Sequence, residues 1–253
     1  MLKWKMRRDT NLRDRRTLRF TGSTDNNYGQ RRPSLDRERV VQVALELLDE
    51  VGLDGLSMRQ LANRLGVKAA SVYWHVRDKE ELLDLVFDRV IGEVEVPDPD
   101  PPRWRIQVWD VAHRMRRVAN SHRDVTRIQL GRFPIGPNAL VLSEGLLAIL
   151  RAGGLPDRAS AYFAALLPLY VSAFSLEETS GLRSPGGDEA SPEEVLQEIR
   201  GYFASLPAER FPNLSALAGE VTGGEPDERF EFGLGLLLDG LERQLDNEGP
   251  ALT

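Results

Sequence analysis

The stretch "AASVYWHVRDKEELL", Ala69 to Leu83, decides how the rest of the chain is read. It sets a tyrosine, a tryptophan and a histidine side by side and then turns abruptly to charge. Four roles compete for His75: catalytic base, metal ligand, core residue, or contact with another macromolecule. The other two histidines, His113 and His122, lie elsewhere, and no metal-ligand spacing surrounds any of the three. The chain has no cysteine, which excludes disulfides, thiol catalysis and thiolate metal sites. No Ser/His/Asp order or phosphate loop is present, and "GLG" at Gly233–Gly235 runs into an apolar helix without a lysine. No catalytic residue, metal or cofactor is therefore expected.

The residues just upstream give the cluster its context. "LSMRQLANRLG" reads as a short helix with Ser57 as N-cap and Gly66 as its stop. Leu61 and Leu65 face inward, and Ala62 is small where a second helix would cross. Gly66, four residues later, supplies the positive φ that a tight turn needs. Val67 and Val72 then anchor a following helix in "VKAASVYWHV". This is the spacing of a helix-turn-helix, whose second helix enters the major groove of DNA. Tyr73, Trp74 and His75 suit phosphates, sugars and thymine methyl groups, Arg59 suits a guanine edge, and Lys68 and Lys79 suit flanking phosphates. The competing reading of Tyr73 and Trp74 is that they close the core of a small three-helix unit.

Outward from this motif the chain reads as all-α. "SLDRERVVQVALELLDEVG" places Val40, Val43, Ala44, Leu47, Leu48 and Val51 at helical spacing, with Asp36 as cap and Gly52 as stop. "RDKEELLDLVFDRVIGEV" forms a longer helix ending at Val94–Glu95, with Asp78 as cap and Glu81 at the capping-box position. "PDPDPP" (Pro97–Pro102) breaks the helix and reads as a linker. Amphipathic stretches follow from Trp104 to Ser121, Pro137 to Ala152, Asp157 to Glu178, Pro192 to Ser205 and Asp227 to Asp246, separated by Gly/Pro-rich breaks. No apolar run is expected to span a bilayer, which takes about 18 residues. A cytoplasmic protein without membrane contact is expected.

The net charge of −6 hides an asymmetry. Residues 1–35 hold ten Lys/Arg against three acids, a balance of +7, which leaves −13 for the remainder. Residues 1–34 lack hydrophobic periodicity and read as a disordered basic arm. Residues 57–79 are locally basic as well, at +4. The expected organisation is the arm at 1–34, a DNA-binding head with its connecting helix at 35–95, and a larger helical body at 96–253.

"LDRERVVQVALELLDEVGLDGLSMRQLANRLGVKAASVYWHVRDKEELLD" resembles the DNA-binding domain of the TetR family of one-component regulators. "SHRDVTRIQLGRFP" and "FEFGLGLLLDGLERQL" are similar to segments of the family's tetracycline-repressor subgroup. The resemblance implies a homodimer formed through helices near 157–178 and 227–246. It also implies a double-stranded, palindromic DNA operator and a small-molecule effector that shifts the fourth helix to release it. The DNA-facing set then comprises Ser57, Arg59, Lys68, Ala69, Ala70, Ser71, Tyr73, Trp74, His75 and Lys79. Ala69 and Ala70 depart from the subgroup's glutamine–proline pair, so a different operator is expected.

The effector site implied by the resemblance is lined by Val111, Met115, Phe133, Pro134, Leu146, Tyr170 and Phe174, with Gln129, Arg132 and Glu177 as polar handles. Gln129 stands where the subgroup has a magnesium-ligating histidine, so the expected inducer is a hydrophobic molecule other than Mg–tetracycline. Two other readings stay open from the residues: a regulator without a small ligand, and a helical enzyme in which the motif only packs.

Overall fold

The computed structural model describes residues 35–129, 132, 134–180 and 191–245, and among these there are helices and no strand. The expected basic arm lies outside the described residues. Helix α1 (Arg37–Gly55) starts where the Asp36 carboxylate accepts from Arg39 N, and Gly52, at φ 73°, bends its last turn. Helix α2 (Met58–Leu65) is capped by Ser57, which accepts from Gln60 N, and it ends at Gly66 with φ 68°. That left-handed conformation is strained for any residue with a Cβ, so the turn selects glycine. Helix α3 spans only Ala69–Tyr73. It is shorter than the sequence pattern suggests because His75 N and Val76 N both return to Val72 O, tightening the chain before the next cap.

Helix α4 (Lys79–Ile91) opens with Asp78 accepting from Glu81 N. The reciprocal half of the capping box is not made: the Glu81 carboxylate takes Arg77 N at 2.7 Å and the Arg37 guanidinium at 2.6 Å. Helix α4 ends at Ile91, one turn before the expected Val94–Glu95. The proline linker then leads through one 3-10 turn, Pro101–Arg103, into α5 (Trp104–Ser121) and α6 (Val125–Gln129). Helices α7 (Pro137–Ala152), α8 (Asp157–Ser180) and α9 (Pro192–Ala204) follow. The stretch before the last helix, expected to be a break, forms two short helices, α10 (Pro212–Ala216) and α11 (Ala218–Thr222), before α12 (Pro226–Glu242).

Two cores form. The first gathers α1 to α4 around Val40, Leu48, Leu61, Ala62, Val72, Leu82 and Val86. Val125 and Ile128 of α6 are built into it, so a piece of the body closes the head's core. The second joins α5, α7, α8 and α12 around Val108, Ile149, Leu167, Phe230, Leu234 and Leu238. A Cβ on Gly233 would fall 2.4 Å from the Tyr170 hydroxyl oxygen, so glycine lets α12 lie close against α8. Helix α8 departs from one expectation: by length and composition Asp157–Thr179 is apolar enough to cross a membrane, and most of it is not buried within the subunit.

Candidate functional site

The helix-turn-helix presents a face whose side chains are free to meet a partner. Arg59, Lys68, Ala69, Ala70, Tyr73 and Trp74 are all exposed. Trp74, at 88% exposure, and Tyr73, at 50%, are therefore not the core closure that the competing reading required. Val72 and Val76, fully covered, do that work from the opposite side of the same turn. Ser71 and His75 are half-buried at the margin of the face. Ser57 spends its hydroxyl on capping α2. Lys79 turns inward, donating to Leu53 O at 3.2 Å, so its ammonium braces the head.

Below the head, an apolar cavity of about 80 Å3 lies between α4, α5, α6, α7 and α8. Phe87, Val90 and Ile91 of α4 form one wall, with Val94 just beyond the helix. Met115, Gln129, Pro134 and Leu146 of the expected set line it, together with Thr126, Ser143 and Ser172, and among the described residues every lining side chain is uncharged. Gln129 accepts from the Ser172 hydroxyl through its side-chain oxygen. The Ser175 hydroxyl oxygen is buried without a hydrogen-bond partner on the same helix as Ser172.

The other expected effector residues are placed elsewhere. Val111 is buried in the body core. Tyr170 and Phe174 stack with Phe230, with ring centroids 4.9 to 5.6 Å apart, and the Tyr170 hydroxyl donates to Phe230 O at 2.6 Å. Burial raises the Tyr170 pKa. Arg132 reaches over the outside of α4 to pair with Glu80 and Asp84. Glu177 pairs with Arg229 at 2.9 Å, and Phe133 lies outside the described residues. The residues that sequence reasoning missed are the α4 wall and the small polar groups of α6 and α8. Their helical periodicity is that of ordinary core, so no signal in the sequence marks them as lining a void.

The α5–α6 turn and α6 itself grip the head. Asp124 Oδ2 accepts from Leu53 N at 2.8 Å, Arg123 N donates to Asp49 Oδ1 at 2.9 Å, and Arg127 pairs with Asp54 at 3.2 Å. The inner side of α6, at Val125, Thr126 and Gln129, faces the cavity. The cavity is thus walled by two elements that belong mechanically to the head.

The chain is similar to known proteins in sequence and in fold. The family model described as bacterial regulatory proteins, tetR family, matches residues 40–86, and the tetracyclin repressor-like C-terminal domain matches residues 97–245. An HTH-type transcriptional regulator of Saccharopolyspora erythraea is 36% identical over 83% of this chain and 86% of its own length. The tetracycline repressor protein class C of Escherichia coli is 31% identical over 83% of this chain and 91% of its own. The crystal structure of ActR from Streptomyces coelicolor in complex with actinorhodin superposes with a TM-score of 0.78 at 44% identity, covering 86% of this chain and all of that one. The chain belongs to the TetR family of bacterial regulatory proteins, and it is a DNA-binding transcriptional regulator rather than an enzyme.

Proposed function

We propose that the protein is a homodimeric, cytoplasmic repressor that leaves a palindromic operator when a hydrophobic small molecule enters the body. The head is residues 35–95 and the effector and dimerisation body residues 96–253. One observation carries this reading: Phe87, Val90 and Ile91 of α4 wall the cavity, and Phe87 and Val90 are at the same time part of the head's core with Leu82 and Val86. The cavity of about 80 Å3 is well below the roughly 300–1,000 Å3 of small-molecule pockets. An occupant of ordinary size must push its walls apart, and α4 carries that displacement to the DNA-reading face.

The lining supports an aromatic or polycyclic effector with a few oxygen functions, and actinorhodin, bound by the related ActR, is the first compound to try. Mg–tetracycline is disfavoured because Gln129 occupies the position of the ligating histidine and no carboxylate lines the cavity among the described residues. Dimerisation is supported by exposed apolar side chains in register on two helices, Tyr162, Leu166 and Leu169 of α8 and Phe232 and Leu236 of α12. A two-fold pairing of these stripes covers them and offers two recognition helices to half-sites about 34 Å apart.

The test begins with an operator fragment selected by the purified protein from a random duplex library. Bound at fixed salt, it is titrated with actinorhodin and, separately, with Mg–tetracycline. Release by the first and not the second is the expected result. Failure to select any duplex defeats the repressor reading. Selection of a duplex that no polycyclic aromatic compound releases defeats the effector half of it.

A further inference from the structure

His122 lies where α5 turns towards α6, and both of its ring nitrogens face carboxylates from other elements. Nδ1 is 2.9 Å from Asp49 Oδ2 on α1, and Nε2 is 3.1 Å from Glu93 Oε2 just past the end of α4. A neutral imidazole carries one N–H and would turn the lone pair of its other nitrogen towards a carboxylate. Only the imidazolium donates to both. At 14% side-chain exposure, the ring has little water to replace a lost partner.

The charges facing this ring are few and identifiable. Asp49 comes from α1, and its other oxygen is occupied by Arg123 N at 2.9 Å. Glu50, the next residue, is tied to Arg64 of α2. Glu93 is 3.7 Å from Arg89 of α4. From the ring's own segment, Arg123 donates to Glu50 O and Asp124 is held by Leu53 N. Burial pulls the His122 pKa down, but the hydrogen bonds and charges of Glu93 and Asp49 outweigh it and raise the value above the ordinary one for histidine.

We propose that His122 is a positioning residue that bridges Asp49 and Glu93 as an imidazolium, fixes the DNA-reading head on the body, and makes operator affinity depend on a single proton. The bridge joins three parts of the chain at one ring: α1, the end of α4, and the α5–α6 turn that grips the head. Because the folded pKa is raised, the bridge is complete below the ordinary histidine pKa and is lost as pH rises through the raised value.

With three histidines in the chain, the ring protons of each can be followed by NMR as pH is raised. The His122 signal is identified as the one lost in neither His75→Gln nor His113→Gln. In parallel, affinity for the selected operator fragment is measured from about pH 6.5 to 9 for the wild type, His122→Gln and Glu93→Gln. A one-proton linkage changes affinity by at most about tenfold per pH unit. The expected result is a pH slope in the wild type that is flattened in His122→Gln, with the midpoint moved to lower pH in Glu93→Gln. Affinity falling with pH marks the bridged orientation as the DNA-binding one, and affinity rising marks it as the released one; either supports the bridge. Coincident wild-type and His122→Gln slopes overturn it, since a purely structural ring would lower stability without changing the slope. Should His122→Gln fail to fold, the Glu93→Gln midpoint in the NMR titration decides, and an unmoved midpoint overturns the proposal.

Discussion

Arg59, Lys68, Tyr73 and Trp74 are exposed residues set beside the buried side chains of the same short helices, and that contrast makes the head a reading surface. Arg59 makes no ion pair among the described residues, so its guanidinium is free for a base edge. Arg59→Ala is expected to cost about 1–3 kcal/mol of operator binding and to relax specificity at one position. Lys68→Ala is expected to weaken all sequences alike and to reduce the salt slope by about one. Competition binding against single-base operator variants at two salt concentrations separates the two. Ala69 and Ala70 offer methyl groups and no hydrogen bonds, so selected operators should favour thymine methyls opposite them over a bidentate adenine contact. A Cβ at Gly66 would meet nothing within 4 Å. Gly66→Ala should therefore cost only the left-handed strain, about 1–2 kcal/mol, read as a lower Tm without a change in operator sequence. Gly66, Ala62 and the two caps, Ser57 and Asp78, are all legible in the sequence because each answers a local backbone requirement. The inward turn of Lys79 is not, because its acceptor, Leu53 O, lies 26 residues away.

Helix α4 joins the two cores, and its far end is held by Asp88. That carboxylate accepts from Ala139 N at 3.0 Å and from the Asn138 side chain, capping the start of α7. Asp88→Ala should cost about 1–2 kcal/mol through the lost cap and should loosen α4, measured as a lower Tm together with a weaker response to effector. Ala164 lines the cavity from α8. Ala164→Leu adds three carbons to the void, so it should preserve fold and operator binding while weakening effector release by about tenfold or more. Loss of operator binding in that variant would mean that the void is not a separate effector chamber. Helix existence is legible along most of the chain because periodicity of apolar residues is a local property. The cavity is not, since Phe87, Val90 and Ile91 carry the same pattern whether they meet a neighbour or a gap.

For the molecule as a whole, the stripes of α8 and α12 leave Tyr162, Leu166, Leu169, Phe232 and Leu236 exposed on one chain. Their pairing in a dimer would also account for a helix apolar enough to cross a membrane yet little buried within one chain. Leu166→Glu combined with Phe232→Glu should convert a dimer into a monomer by analytical ultracentrifugation. Operator affinity should fall with it, since two half-sites can no longer be bound together. A variant that stays dimeric would move the interface elsewhere on the surface.

Local sequence by itself determined the helical class, the helix-turn-helix, its caps and its glycine turn, because these depend on residues within a few positions of one another. The same locality exposed the alanine pair that sets this head apart. Tertiary structure alone decided which residues meet across long separations: Arg132 with Glu80 and Asp84 of α4, Tyr170 and Phe174 with Phe230, and His122 between Asp49 and Glu93. Such contacts follow from how whole helices cross, and side chains far apart along the chain carry no local trace of it.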